Sequence, residues 1–273
     1  MEENYWTCED YFIFKPHFDG SISDYIKIIK QHNKLIFSNY NDLELTIKQN
    51  ENYWDDLYGD SKFNVQLGNS FDQLTNLTQI NFGHDFNQPL TNSLDKLIKL
   101  KHLTFGYYFN QPLGNSLNQL INLTHLTFGN LFNQPLSNSL DQLVNLKYIT
   151  FGNYFNQPLN NILLTKLEHL GLGYSFNQEL NLPPSIKCLT LNCNNQNLID
   201  NLPDSIEQLN FNDAFDLPLD NLPNSIKKIS FNVISLYNYP LDNLPKSLEQ
   251  LELPTNYKIE LKNIPPNCKI IYL

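Results

Sequence analysis

The run Phe86-Asn87-Gln88-Pro89-Leu90 returns as Phe109 to Leu113, Phe132 to Leu136 and Phe155 to Leu159, once every 23 residues. A looser copy precedes it at Phe63-Asn64-Val65-Gln66-Leu67, and another follows at Phe176-Asn177-Gln178-Glu179-Leu180. Repetition at such a period is the mark of a solenoid, whose units must stack because none can bury its apolar face alone. The period shortens to about 19–22 residues in the second half, within or just below the leucine-rich range. Asn195 stands where the next aromatic is due, Phe215 restores it, and Tyr237 and Tyr257 replace it. The count is about ten repeats.

Each unit also carries a short apolar alternation. Leu100-Lys101-His102-Leu103-Thr104-Phe105 becomes Leu123 to Phe128, Leu146 to Phe151 and, later, Ile186-Lys187-Cys188-Leu189-Thr190-Leu191. The form is L-x-x-L-x-[LF], one strand per unit. Its fourth and sixth places share a face because strand side chains alternate. The chain then returns through Asn92-Ser93-Leu94-Asp95-Lys96-Leu97, which has the spacing of one helical or 3₁₀ turn. In the second half the return is Asn201-Leu202-Pro203-Asp204-Ser205-Ile206, where proline favours a tighter path of fewer residues. The expected fold class is therefore α/β: a leucine-rich-repeat-type solenoid with a parallel sheet on its concave face and short 3₁₀ or extended returns. The Phe86, Phe109, Phe132, Phe155 and Phe176 column is expected to form an aromatic spine. The asparagines that follow each Phe are expected to satisfy turn backbone that no ladder reaches.

Composition narrows the function. Asn makes up about 15% of the chain, all 18 basic residues are Lys, and Ala214 is the only alanine. A helical bundle would favour Ala and avoid Asn, and a nucleic-acid reader would use Arg. A formal net charge of -10 argues against nucleic acid and anionic membrane as partners. Cys8, Cys188, Cys193 and Cys268 have neither disulfide-framework nor zinc-site spacing. No apolar leader or membrane-length run is found, so the expected location is cytoplasmic. Motifs of hydrolases, P-loops, zinc proteases and dinucleotide sites are missing; the expectation is no enzyme and no cofactor.

The F-N-Q-P-L run, preceded by L-T-x-L-T-F-G, resembles the FNIP repeat, a leucine-rich-like repeat of social amoebae and of giant DNA viruses that infect amoebae. The resemblance extends from about Phe63 to the end. It implies protein–protein contacts, and in some members an N-terminal F-box recruits a ubiquitin-ligase scaffold. No Leu-Pro-initiated F-box helix is recognised in residues 1–60. Asp85, Tyr108, Leu131 and Tyr154 occupy the place where the leucine-rich consensus has a single Asn, so the turn chemistry must differ.

Two domains are expected: an acidic N-terminal cap over 1–60 and the repeat solenoid over 61–273. The cap does not show the repeat. Ser21-Ile22-Ser23-Asp24 and the Ile residues after it suggest one capped helix. Leu35-Ile36-Phe37 and Leu43-Glu44-Leu45-Thr46-Ile47 read as strands. Tyr53, Trp54 and Tyr58 lie in an acidic-aromatic loop that offers a docking element.

If the fourth and sixth places point inward, the third and fifth point outward, to the concave sheet surface. The third place runs Gln79, His102, His125, Tyr148, His169, Cys188, and the fifth Asn81, Thr104, Thr127, Thr150. His102, His125, Tyr148 and His169, with Thr104, Thr127 and Thr150, make a candidate partner-binding patch. His102 and His125 alone fall short of a metal site, since no third ligand accompanies them. The second place alternates in sign through Lys147, Glu168, Lys187, Glu207, Lys227, Glu249 and Lys269, a device for strand register. The function expected is a non-catalytic intracellular scaffold that binds a protein partner on the concave sheet face. The alternatives are a ubiquitin-ligase substrate adaptor and a structural component without a dedicated partner.

Overall fold

The structure, a computed structural model, describes residues 4–49, 61–159 and 164–273. Within these, each L-x-[LF] alternation forms a short strand, and the residues between strands turn the chain back to start the next coil. The described residues through Gly152, with Leu164, form one compact unit; residues 153–159 and 165–273 form a second.

In the first unit β1 (Tyr5–Cys8) pairs antiparallel with β2 (Tyr11–Phe14). From β2 onward all pairing is parallel: β3 (Lys34–Phe37), β4 (Gln79–Asn81), β5 (His102–Thr104), β6 (His125–Thr127) and β7 (Tyr148–Thr150) follow in chain order. The second unit repeats the scheme with β8 (His169–Leu172), β9 (Cys188–Leu191), β10 (Gln208–Phe211), β11 (Lys228–Phe231), β12 (Gln250–Leu253) and β13 (Lys269–Tyr272), all parallel. This is the parallel-sheet solenoid of leucine-rich type. The returns of the first unit are successive i→i−3 turns, as in Ser93 N to Leu90 O (2.9 Å), Asp95 N to Asn92 O (3.1 Å) and Leu97 N to Leu94 O (3.0 Å).

Burial sorts the strand faces as the alternation requires. Ile80, Leu103, Leu126 and Ile149 are buried between half-exposed or exposed flanks. The Phe spine is present, and it is double. Phe63, Phe86, Phe109 and Phe132 stack with centroids 5.8, 6.0 and 6.0 Å apart. Beside them Phe37, Phe82, Phe105, Phe128 and Phe151 stack at 5.9, 5.6, 5.6 and 5.4 Å. The columns touch at Phe82–Phe86 (4.2 Å) and Phe105–Phe109 (4.0 Å). Each such offset contact contributes roughly 0.5–1.5 kcal/mol beyond area burial.

The asparagine column behaves as expected. Asn110 N donates to Asn87 Oδ1 (3.0 Å) and Asn133 N to Asn110 Oδ1 (3.0 Å), so each side chain closes the backbone of the next coil. Glycine marks the closest approach of successive coils. A Cβ on Gly106 would lie 2.1 Å from Gly83 O, and one on Gly129 1.9 Å from Gly106 O. The coils approach too closely there for any side chain.

Two strands within residues 1–60 share the register of the repeats, although that region does not show the repeat in its sequence. Phe12 aligns with Leu35, and Leu35 with Ile80. Phe14 precedes Phe18 by four positions, as Phe82 precedes Phe86, but Phe37 precedes its stacking partner Phe63 (3.9 Å) by twenty-six. A long insertion thus hides the coil from a search by period. Within the insertion Leu43–Gln49, whose first five residues are expected to be a strand, instead forms helix α2. Asp42 starts it, accepting Leu45 N at its carboxylate (2.9 Å) and the Thr46 hydroxyl at its carbonyl (2.7 Å). That cap outweighs a five-residue alternation. The helix expected after Ser21 is present as a 3₁₀ turn, Ile22–Tyr25, continued by α1 (Ile26–Ile29). In the second unit Asn195, the missing aromatic, caps helix α3 (Gln196–Asp200) through Leu198 N (3.1 Å), and α3 buries Leu198 and Ile199 in the aromatic's stead.

Candidate functional site

Parallel pairing without offset places equal positions of successive coils side by side. Gln79, His102, His125 and Tyr148 therefore form one row on the outer sheet face, and Asn81, Thr104, Thr127 and Thr150 the next. Strands lie only ~4.8 Å apart, so flat side chains in one row must stack. His102 and His125 do so at 4.2 Å and 13°, and His125 and Tyr148 at 4.2 Å and 6°.

The row is held from beneath and from the side. The Thr124 hydroxyl donates to the Lys101 carbonyl (3.1 Å) and lies 2.9 Å from His125 Nδ1, so that nitrogen takes the donor role toward it. Burial, and then the charges of Lys101 and Lys34, hold the His102 imidazole below its ordinary pKa. It is neutral at neutral pH and packs on its neighbour without charge repulsion. Two further members were missed in the sequence. Tyr11 and Lys34 precede the apolar runs of β2 and β3 and align with Gln79. The Lys34 ammonium sits 4.2 Å from the Tyr11 ring centre and donates to its hydroxyl (3.1 Å). The signal was their 23-residue spacing, too weak alone without the inserted coil.

Stacking also decides the metal question for the histidine pair. Parallel rings aim their lone pairs side by side, whereas one ion needs them to converge at ~2.0–2.1 Å. Among the described residues no group of three or more His, Cys, Asp or Glu is placed to hold a metal.

His169 lies in the second unit. Its Nε2 is 2.9 Å from the Thr190 hydroxyl, and burial lowers its pKa. Asn210 extends the network to Thr190 (3.3 Å) and the Cys188 sulfur (3.3 Å). Further on, Glu252 is 2.8 Å from Lys228 and accepts from Ser230 and Gln250. Burial works to raise its pKa, but those hydrogen bonds and the Lys228 charge prevail and lower it. At the second place Glu207 bridges Lys187 (3.2 Å) and Lys227 (2.8 Å), as sign alternation predicts. Tyr53, Trp54 and Tyr58 lie outside the described residues.

Cys188 and Cys193 are poor nucleophiles. Burial pushes Cys188 and Cys193 up to about 11, against weaker opposing hydrogen bonds and, at Cys188, the Lys228 charge. Little thiolate exists at neutral pH.

The family model described as FNIP Repeat matches residues 195–233. Among solved structures, CroV588 of the giant virus CroV, described as a novel circular LRR protein, is similar at 25% identity with a TM-score of 0.58. The match covers 99% of this chain and 48% of that one, so the chain spans about half the length of CroV588. An internalin (inlF) of Listeria monocytogenes is similar at 14% identity and a TM-score of 0.54, over 96% of this chain and 74% of its own, a likeness of fold. No curated protein matches the sequence.

Proposed function

Taking the chain as a FNIP-repeat solenoid of leucine-rich type, we propose that it is a non-catalytic scaffold that binds another protein on the outer sheet face of its first unit. The observation that carries this reading is the stacked row His102–His125–Tyr148, flanked by the hydroxyls of Thr104, Thr127 and Thr150. Stacking has already ordered the rings, so a partner loses little side-chain entropy in meeting them. Their edges offer hydrogen-bonding groups beside apolar ring surface, the mixture that interface hot spots favour. The raised thiols support a binding role over a nucleophilic one. All four cysteines are free, which supports a reducing, cytoplasmic compartment. No helix among the described residues is long and apolar enough to cross a membrane.

The test is affinity purification with the full chain and with a His125→Ala/Tyr148→Ala variant, each checked for retained circular dichroism. Partner recovery is expected to fall by about tenfold or more, the effect of losing one hot-spot contact. Unchanged recovery from a folded variant dismisses this face.

A further inference from the structure

An open cleft of about 470 Å³ in the first unit is lined by Lys62, Asn64, His84, Asp85, Asn87 and Tyr108, none of which belongs to the ring row. Its composition follows from the repeat. Lys62, Asp85 and Tyr108 hold the same place in successive coils, the position before the spine Phe. The two asparagines are consecutive members of the backbone-closing column. Asn64 Oδ1 accepts from Asn87 N (2.9 Å) and Gln88 Nε2 (2.9 Å), and Asn87 Oδ1 from Asn110 N (3.0 Å) and Gln111 Nε2 (3.0 Å). An amide oxygen has two lone pairs, so both are spent, and each side chain has only its NH₂ left to offer a ligand. The solenoid's own ladder therefore orients these amides as donors.

Charge adds to the donors. Asp85 is engaged by His84, whose Nδ1 lies 2.6 Å from its carboxylate, and His84 is fixed in turn by Asn39 at its backbone and by Tyr107 against its ring (5.1 Å). Lys62 has no carboxylate within ion-pair distance among the described residues and remains the uncompensated cation of the cleft. Tyr108, exposed, supplies a hydroxyl.

We propose that this cleft binds an oxyanion, a carboxylate or a phosphate group, through the Lys62 ammonium, the Asn64 and Asn87 amides and the Tyr108 hydroxyl. Charge-assisted hydrogen bonds to amides already held in place are the strong kind. The ring row plays no part, so failure here leaves the proposed protein-binding face untouched.

The experiment is an NMR titration of the full chain at low salt with inorganic phosphate and, separately, with acetate. Saturable shifts of the Asn64 and Asn87 side-chain amide signals with either ion are expected, and whichever ion binds tighter identifies the anion class. Lys62→Gln, an exposed change, is expected to weaken binding about tenfold. Asp85→Asn is expected to tighten it severalfold by removing a nearby negative charge. No saturable shift at the two amides, or equal affinity in Lys62→Gln, overturns the proposal. So does a neutral sugar such as maltose that shifts the same amides and loses its binding in Asp85→Asn, because a polyol needs the carboxylate as acceptor and an anion does not.

Discussion

The two units solve one packing problem by different means. From Phe63 to Phe155 in the sequence, coils of 23 residues each close with a glycine after a three-residue strand. Within the first unit the spine is two columns of Phe, and backbone meets backbone where a Cβ would stand. The second unit uses coils of about 19–22 residues, four-residue strands and Leu-Pro returns. Asn212 and Asn232 stand where the first unit has glycine, and its aromatic column gives way to α3 at Asn195, returns at Phe215 and continues through Tyr237 and Tyr257. Identical coils can approach closely because every irregularity is shared. Coils that carry Asn212 and Asn232 at the glycine place leave room there for a side chain. The first unit should therefore be brittle and the second tolerant.

The sharpest way to break this contrast is Gly129→Ala. Its Cβ would meet a carbonyl oxygen at 1.9 Å, and backbone cannot yield as a side chain can. A loss of about 4 kcal/mol or more, or failure to fold, is expected in chemical denaturation of the full chain. Asn212→Ala, its counterpart in the second unit, should stay within about 1 kcal/mol of the parent. Equal effects would remove the distinction.

A smaller effect is expected from the ladders. Asn110→Ala strips the acceptor from Asn133 N (3.0 Å) and Gln134 Nε2 (3.1 Å) and should cost about 1–3 kcal/mol by the same denaturation. Asn194 receives Asp216 N (2.8 Å) at an exposed site, so Asn194→Ala should cost no more than about 1 kcal/mol.

The smallest effect sharpens the point from the tolerant side. The Tyr237 hydroxyl is buried without a protein partner among the described residues. Burial, then nearby Tyr257, Asp220 and Asp216, drives its pKa far upward. Tyr237→Phe keeps the ring in the column and removes an unsatisfied group, so the melting temperature should hold or rise, by at most about 1 kcal/mol equivalent. A clear loss would mean that this hydroxyl is structurally required.

The legible features were those that recur. His102, His125 and Tyr148 were placed on one face by alternation alone, and the structure brings them into one row. Their stacking at 4.2 Å was not written in the sequence, because it depends on parallel pairing without offset. Tyr11 and Lys34 were missed because an insertion separates their coils from the recognisable repeats. The strand expected at Leu43–Ile47 is a helix for a local reason: five residues of alternation do not outweigh the Asp42 cap that starts α2.

The amino-acid order by itself determined the solenoid, the strand of each coil, which side chains face inward and the alternation of charge along one edge. These follow from periods of two and of about 23, which any stretch of chain carries with it. Only the tertiary structure decided that Phe82 and Phe86 belong to two touching columns, that glycine marks the closest approach of coils, and that Phe37 leans on Phe63 across a long insertion. The orientation of Asn64 and Asn87 as donors is of the same kind. Each is a relation between residues of different coils, set by which neighbour a coil meets in space.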